Sequence, residues 1–112
     1  MPPLIILAGP TTSKKSDTAI ELAEKINAEI ISADSMQVYK YFDIGTAKAS
    51  LEDRIRIPHH LIDILEPDKD FTAFDFKTRA LNQIRGLTKR NKIPIIVGGT
   101  GLYLKAFCED YN

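Results

Sequence analysis

The chain has 112 residues, enough for one domain with a real hydrophobic core and too few for two. Its apolar share of 44% and charged share of 27% are those of an ordinary globular protein, and no stretch approaches the length of a membrane span. Fifteen basic residues balance fifteen acidic ones, so no global positive field marks a dedicated nucleic-acid binder, although a local basic surface is compatible with that balance. One cysteine, Cys108, excludes an internal disulfide and fits a reducing compartment. Lying among Leu104, Ala106 and Phe107, it is expected to be a buried small apolar residue. The start of the chain lacks the charged region and long apolar core of a signal peptide, so the expected location is cytoplasmic.

The apolar run at residues 4–8 reads as a first strand. After it comes Gly9-Pro10-Thr11-Thr12-Ser13-Lys14-Lys15-Ser16, which matches a phosphate-binding loop except that Lys14 stands where the pattern has its second glycine. Backbone N–H groups of such a turn converge on an anion, and the following helix N-terminus adds partial positive charge. Lys15 supplies a full charge, and Ser16 stands where a hydroxyl meets Mg²⁺. A diphosphate or triphosphate is the ligand that suits this pattern. Lys14 is expected to occupy a positive-φ position, at a cost of about 1–2 kcal/mol, and to crowd the phosphate path. A plain Thr/Ser-rich turn between strand and helix is the alternative.

From residue 16 to 26, Ala19, Ile20, Ala23 and Ile26 recur at helical spacing. A second strand at residues 29–32 leads to Ala33 and Asp34. Residues 41–60 carry no regular pattern and read as surface. His59 and His60 follow Pro58 without the spaced partners of a zinc site, and read as structural or surface residues. A third strand is expected within residues 61–65. A long helix fits residues 72–90, with Ala73, Phe76, Ala80, Ile84 and Leu87 in one stripe and Gly86 weakening it slightly. Its terminal Lys89-Arg90-Asn91-Lys92 reads as a solvated helix end, favourable to the helix dipole. A fourth strand at residues 94–97 runs into Gly98-Gly99-Thr100-Gly101 and a last helix reaching about residue 109.

Apolar strands alternating with helices predict a single α/β domain over residues 1–112, with a mostly parallel sheet covered on both faces. Ligands of such sheets bind beyond the carboxyl ends of the strands. Three of those ends are polar or glycine-rich: the loop at 9–16, Ala33-Asp34-Ser35, and residues 98–101. All three are expected on one rim. There Asp34 reads equally as a general base or metal partner and as the N-cap of a short helix starting near Ser35. Asp63 is the rival acidic residue, with a position inside an apolar run that favours a structural role. The glycines at 98–101 allow close backbone approach to a ligand, with a hydroxyl at Thr100, or else form a bland tight turn.

Taken together, these segments resemble the tRNA dimethylallyltransferases, also called tRNA isopentenyltransferases. The resemblance is carried by five blocks in order: residues 9–13, residues 31–40 (Ile-Ser-Ala-Asp-Ser-Met-Gln-Val-Tyr-Lys), residues 43–48, residues 58–63 (Pro-His-His-Leu-Ile-Asp), and residues 94–103. It implies transfer of a dimethylallyl group from its diphosphate to the exocyclic amine of the adenosine 3′ of the anticodon. By that resemblance Gly9 to Ser16 form the phosphate loop, with Thr11 to Ser16 holding the diphosphate and Ser16 on Mg²⁺. Asp34 would be the general base, with Thr100 hydrogen-bonding at the same site. Asp34, Ser35, Met36, Gln37 and Thr100 would contact tRNA. The fold implied is P-loop NTPase-like, three-layered and incomplete in this chain, and the protein is expected to be a monomer without membrane contact.

Two departures stand out. Lys14 replaces the family's loop glycine, and Ser16 its more usual threonine. Family members also continue beyond the point matched by Asn112, with a tRNA-gripping insertion and further core elements, so half a site is expected here. A P-loop small-molecule kinase using ATP is the competing reading, against which Asp34-Ser35-Met36-Gln37 speaks. A truncated remnant without catalysis is the other.

Overall fold

The computed structural model describes residues 4–8, 13–41, 49–99 and 101–110. In chain order its elements are β1 (Ile5–Ala8), α1 (Ser13–Ile26), β2 (Ala28–Ser32), α2 (Leu51–Arg56), β3 (His59–His60), α3 (Ala73–Lys89), β4 (Ile93–Gly98) and α4 (Gly101–Asp110). The strands form one four-stranded sheet in the order β1-β4-β2-β3, with every pairing parallel.

Strand alternation sends successive residues to opposite faces. Ile30 and Ile95, paired across β2 and β4, join Ala19, Ile20 and Ala23 of α1 in one core. Ile31 and Ile96, the next pair, join Phe76, Ala80, Ile84 and Leu87 of α3 and Tyr103, Leu104 and Phe107 of α4 in the other. The sheet is thus the middle of three layers, and β2 is buried along its whole length. That is why Ile30 and Ile31 stand side by side in it, one for each core, and why Glu29 and Ser32 need buried partners.

α3 owes its start to a capping box: Thr72 Oγ1 accepts from the Asp75 N–H at 3.1 Å, and Asp75 accepts from the Thr72 N–H at 2.9 Å. Each satisfies a backbone donor that the first helical turn leaves open. Of the expected stripe Phe76, Ala80, Ile84 and Leu87 are buried and Ala73 is partly so, and the Phe76 ring stacks on Tyr103 with centroids 5.1 Å apart.

Several expectations are corrected. α1 begins at Ser13, so Lys14 lies within the first helical turn and not in a left-handed turn before it; the backbone penalty expected there does not arise. The third strand is His59–His60, not residues 61–65. Leu61 and Asp63 adopt φ of 66° and 57°, which breaks the extended chain, and only Leu65 returns to an isolated parallel bridge with Tyr39. The stretch read as irregular surface contains α2, started by Ser50, whose hydroxyl accepts from the Asp53 N–H. With no residue of α2 buried, there was no apolar stripe for periodicity to detect. Cys108 is exposed, because α4 turns Tyr103, Leu104 and Phe107 inward and leaves the next position facing out.

Candidate functional site

Parallel register fixes where the strands end. Ala8 lies opposite Gly98, and Ser32 opposite Val97, so β1, β4 and β2 all deliver the chain to one rim. Gly98 is required there by packing: a Cβ would sit 2.1 Å from the Ala33 carbonyl oxygen. The close approach is to the neighbouring chain of the protein itself, where the Ala33 N–H also donates to the Val97 carbonyl at 2.8 Å.

Asp34 follows immediately. Its Oδ1 accepts from the N–H groups of Met36 at 2.8 Å and Gln37 at 3.1 Å, closing the turn over residues 35–38. Asp34 thus caps a turn, not the short helix expected near Ser35, and the two bonds fix the carboxylate at the end of β2. The turn is then tied to the chain after β3: the Asp63 N–H donates to the Gln37 carbonyl at 3.0 Å, and the Ile64 N–H to Val38 at 2.9 Å. Asp63 itself takes Arg54 of α2 at 2.7 Å, a structural ion pair that also holds the approach to α2 through Arg54 Nε and the Ala49 carbonyl. Met36 projects outward, while Gln37 is buried and its Oε1 accepts from Ser32 Oγ at 3.2 Å.

These groups line a pocket at the rim on the α1 face. Ser32, Asp34, Gln37 and His59 provide its polar lining, and Ala19, Ile30, Ile62, Val97 and Gly98 much of the apolar remainder. A few convergent polar groups set in an apolar wall is the usual make-up of a small-molecule site. The arrangement offers a carboxylate to take a proton and fixed polar atoms to orient a planar ligand.

The adjacent histidines part company. His60 faces the other side of the sheet, where its Nε2 meets Glu29 Oε1 at 2.8 Å. Glu29 also receives both terminal nitrogens of Arg90 at 2.9 and 3.0 Å. The Arg90 hydrogen bond holds the Glu29 carboxyl below the usual carboxylate range against the opposing effect of burial, with His60 adding to it. Arg90, read from sequence as part of a solvated helix end, is thus one arm of a structural clamp. His59 turns into the pocket, and burial pushes its imidazole below the ordinary histidine value, overcoming the opposing hydrogen bond to the Ile57 carbonyl.

The IPP transferase family model matches residues 37–112. The chain belongs to the IPP transferase family. It is 56% identical over 110 residues to a tRNA dimethylallyltransferase of Staphylococcus saprophyticus, covering 98% of this chain and 35% of that protein. Among solved structures, the full-length tRNA isopentenylpyrophosphate transferase of Bacillus halodurans superposes with a TM-score of 0.93 at 44% identity, over 100% of this chain and 37% of that one. A eukaryotic dimethylallyltransferase acting on tRNA gives a TM-score of 0.89 at 42% identity, over 95% and 26%. The chain spans about a third of the length of the curated relatives it matches. The α/β fold with its parallel sheet is the P-loop NTPase-like fold of these transferases.

At this rim Asp34 precedes the turn at residues 35–38, which carries Ser35, Met36 and Gln37. Gly9, Pro10, Thr11, Thr12 and Thr100 lie outside the described residues. Ser13, Lys14, Lys15 and Ser16 form the backbone of the first turn of α1, the end of that helix that follows β1. Sequence reasoning missed Ser32 and His59. The signal for Ser32 was the alternation that puts it on the Ile30 face, one residue pair from the rim; for His59 there was none without knowing where the third strand begins.

Proposed function

We propose that the protein of which this chain carries the site is a tRNA dimethylallyltransferase, moving a dimethylallyl group from dimethylallyl diphosphate to the exocyclic amine of the adenosine 3′ of the anticodon. The observation that carries this reading is the presence of Asp34 and Gln37 in one rim pocket that reaches Gly98 at the end of β4, the strand paired with β1, whose end leads into residues 9–16.

The chemistry needs two things. Diphosphate departure builds negative charge on the leaving oxygen, and Lys15, with the loop and first-turn N–H groups, is placed by sequence to stabilise it. The adenine amine must lose a proton as its nitrogen bonds to the allylic carbon, and the Asp34 carboxylate takes that proton. Gln37, held by Ser32, and Thr100 orient the base, which has to be unstacked from the anticodon loop to reach the pocket. Among the described residues no group of three or more His, Cys, Asp or Glu side chains could hold a metal. Mg²⁺ would be held by the diphosphate together with the Ser16 hydroxyl, an oxygen donor of the hardness it prefers, and would neutralise leaving-group charge. Among the described residues no helix is long and apolar enough to cross a membrane, and we place the enzyme in the cytoplasm as a monomer.

The test is a chimera in which this chain replaces the matching segment of the Staphylococcus saprophyticus relative. It should transfer labelled dimethylallyl to tRNA. Asp34→Asn, which can still accept the Met36 and Gln37 N–H groups, should reduce the rate roughly 10²–10⁴-fold with dimethylallyl diphosphate binding retained. Transfer at the parent rate would remove Asp34 as the base, and preference for ATP over dimethylallyl diphosphate would point to a kinase.

A further inference from the structure

His59 has a job to fill that the resemblance does not assign. Its Nδ1 lies 2.6 Å from the Ile57 carbonyl oxygen, which only accepts, so Nδ1 carries the proton. In the neutral ring Nε2 is then a bare acceptor. Among the described residues it has no hydrogen bond, yet no buried side-chain nitrogen or oxygen among them is left unpaired. Nε2 therefore keeps accessible surface, and His59 lines the pocket that Asp34 and Gln37 also line.

An exocyclic amine carries two N–H donors. Asp34 answers one, and the second needs its own acceptor or is desolvated without a partner, a loss that sites of this kind discriminate strongly against. We propose that His59 is a specificity-determining residue of the pocket, its Nε2 lone pair accepting the second amine N–H of an adenine whose first faces Asp34. This rests on the adenine reading of the pocket given above. The consequence is discrimination. Guanine presents a carbonyl oxygen where adenine presents the amine, so two acceptors in the pocket would confront an acceptor in the ligand.

The acceptor exists only while the ring is neutral. Burial keeps it so, and Arg54 of α2 adds to that effect, while Asp53 of α2 opposes it and the neighbouring His60 adds slightly. Asp34 and Gln37 line the same pocket.

Long-range ¹H–¹⁵N spectra of the imidazoles in this chain test the proposal, with adenosine and guanosine as probes. The expected result is a His59 ring protonated at Nδ1, a Nε2 resonance that moves on adding adenosine, and no such movement with guanosine. His59→Asn keeps an amide donor for the Ile57 carbonyl but deletes the distal acceptor, and should weaken adenosine binding about tenfold and narrow the gap to guanosine. His59→Gln, with an amide oxygen near the lost position, should recover part of that. A proton on Nε2, or adenosine shifts at Asp34 and Gln37 with Nε2 unmoved, overturns the role of His59 and leaves the adenine reading intact. No adenosine shift at any of the three overturns both. Equal adenosine affinity in folded His59→Asn overturns the proposal as well.

Discussion

Glu29 lies inside β2 and Asp34 just past its end, yet their carboxylates meet different company. Glu29 is 4% exposed and enclosed by Arg90 and His60, so its charge is answered from two sides. Asp34 is half-buried at a pocket mouth, with one oxygen tied to the backbone of its own turn. The histidines repeat the division: His60 belongs to the clamp and His59 to the pocket. Strand alternation is the reason. Neighbouring residues of one strand project from opposite faces, so a two-residue strand serves a structural cluster on one side and the rim pocket on the other. A carboxylate or imidazole acquires its role from the face and the end of the sheet on which it falls, not from its chemistry alone.

The sharpest way to break this division is at the seam between β4 and the chain leading to Asp34. Gly98→Ala drives a methyl group against the Ala33 carbonyl oxygen and Cβ, and backbone there has little room to yield. Denaturant unfolding should show a loss of about 3 kcal/mol, and the Asp34 turn should shift in its amide spectrum. Unchanged stability would mean that Ala33 moves freely and that the rim is not held by this contact.

The clamp comes next. Glu29→Gln keeps the shape but removes the charge that answers Arg90 and His60, and should cost about 2 kcal/mol at neutral pH. The sign of the pH dependence follows from the lowered Glu29 pKa. The stabilisation is fully present above the ordinary value of 4.5 and is lost as pH falls through the depressed folded value. The gap between parent and Glu29→Gln should therefore close on acidification through that window. A gap constant down to the lowest pH at which the chain folds would show that the carboxylate charge contributes nothing.

The smallest effect is expected at a site belonging to neither end. Gly86 sits in α3, and a methyl group added there would meet nothing within 4 Å. Gly86→Ala should raise stability by about 0.5–1 kcal/mol without altering either the clamp or the pocket. A loss of stability would reveal a neighbour that packs against this turn of the helix.

Local pattern carried a good deal of this molecule. The stripe of α3, the apolar β2 and β4, and the polar strand ends that mark the rim all follow from periodicity and composition, because each repeats over enough residues to be distinguished from chance. The five blocks of the family resemblance led to the transferases, and the comparisons agree. What local pattern could not carry were short elements and side-chain partners. β3 has two residues and α2 has no buried face, so neither repeats long enough to register. The pairing of Glu29 with Arg90 joins positions far apart in the chain, and the split between His59 and His60 depends on which residue starts β3. Both were decided by the parallel register of the assembled sheet, since only that register determines which side chains share a face.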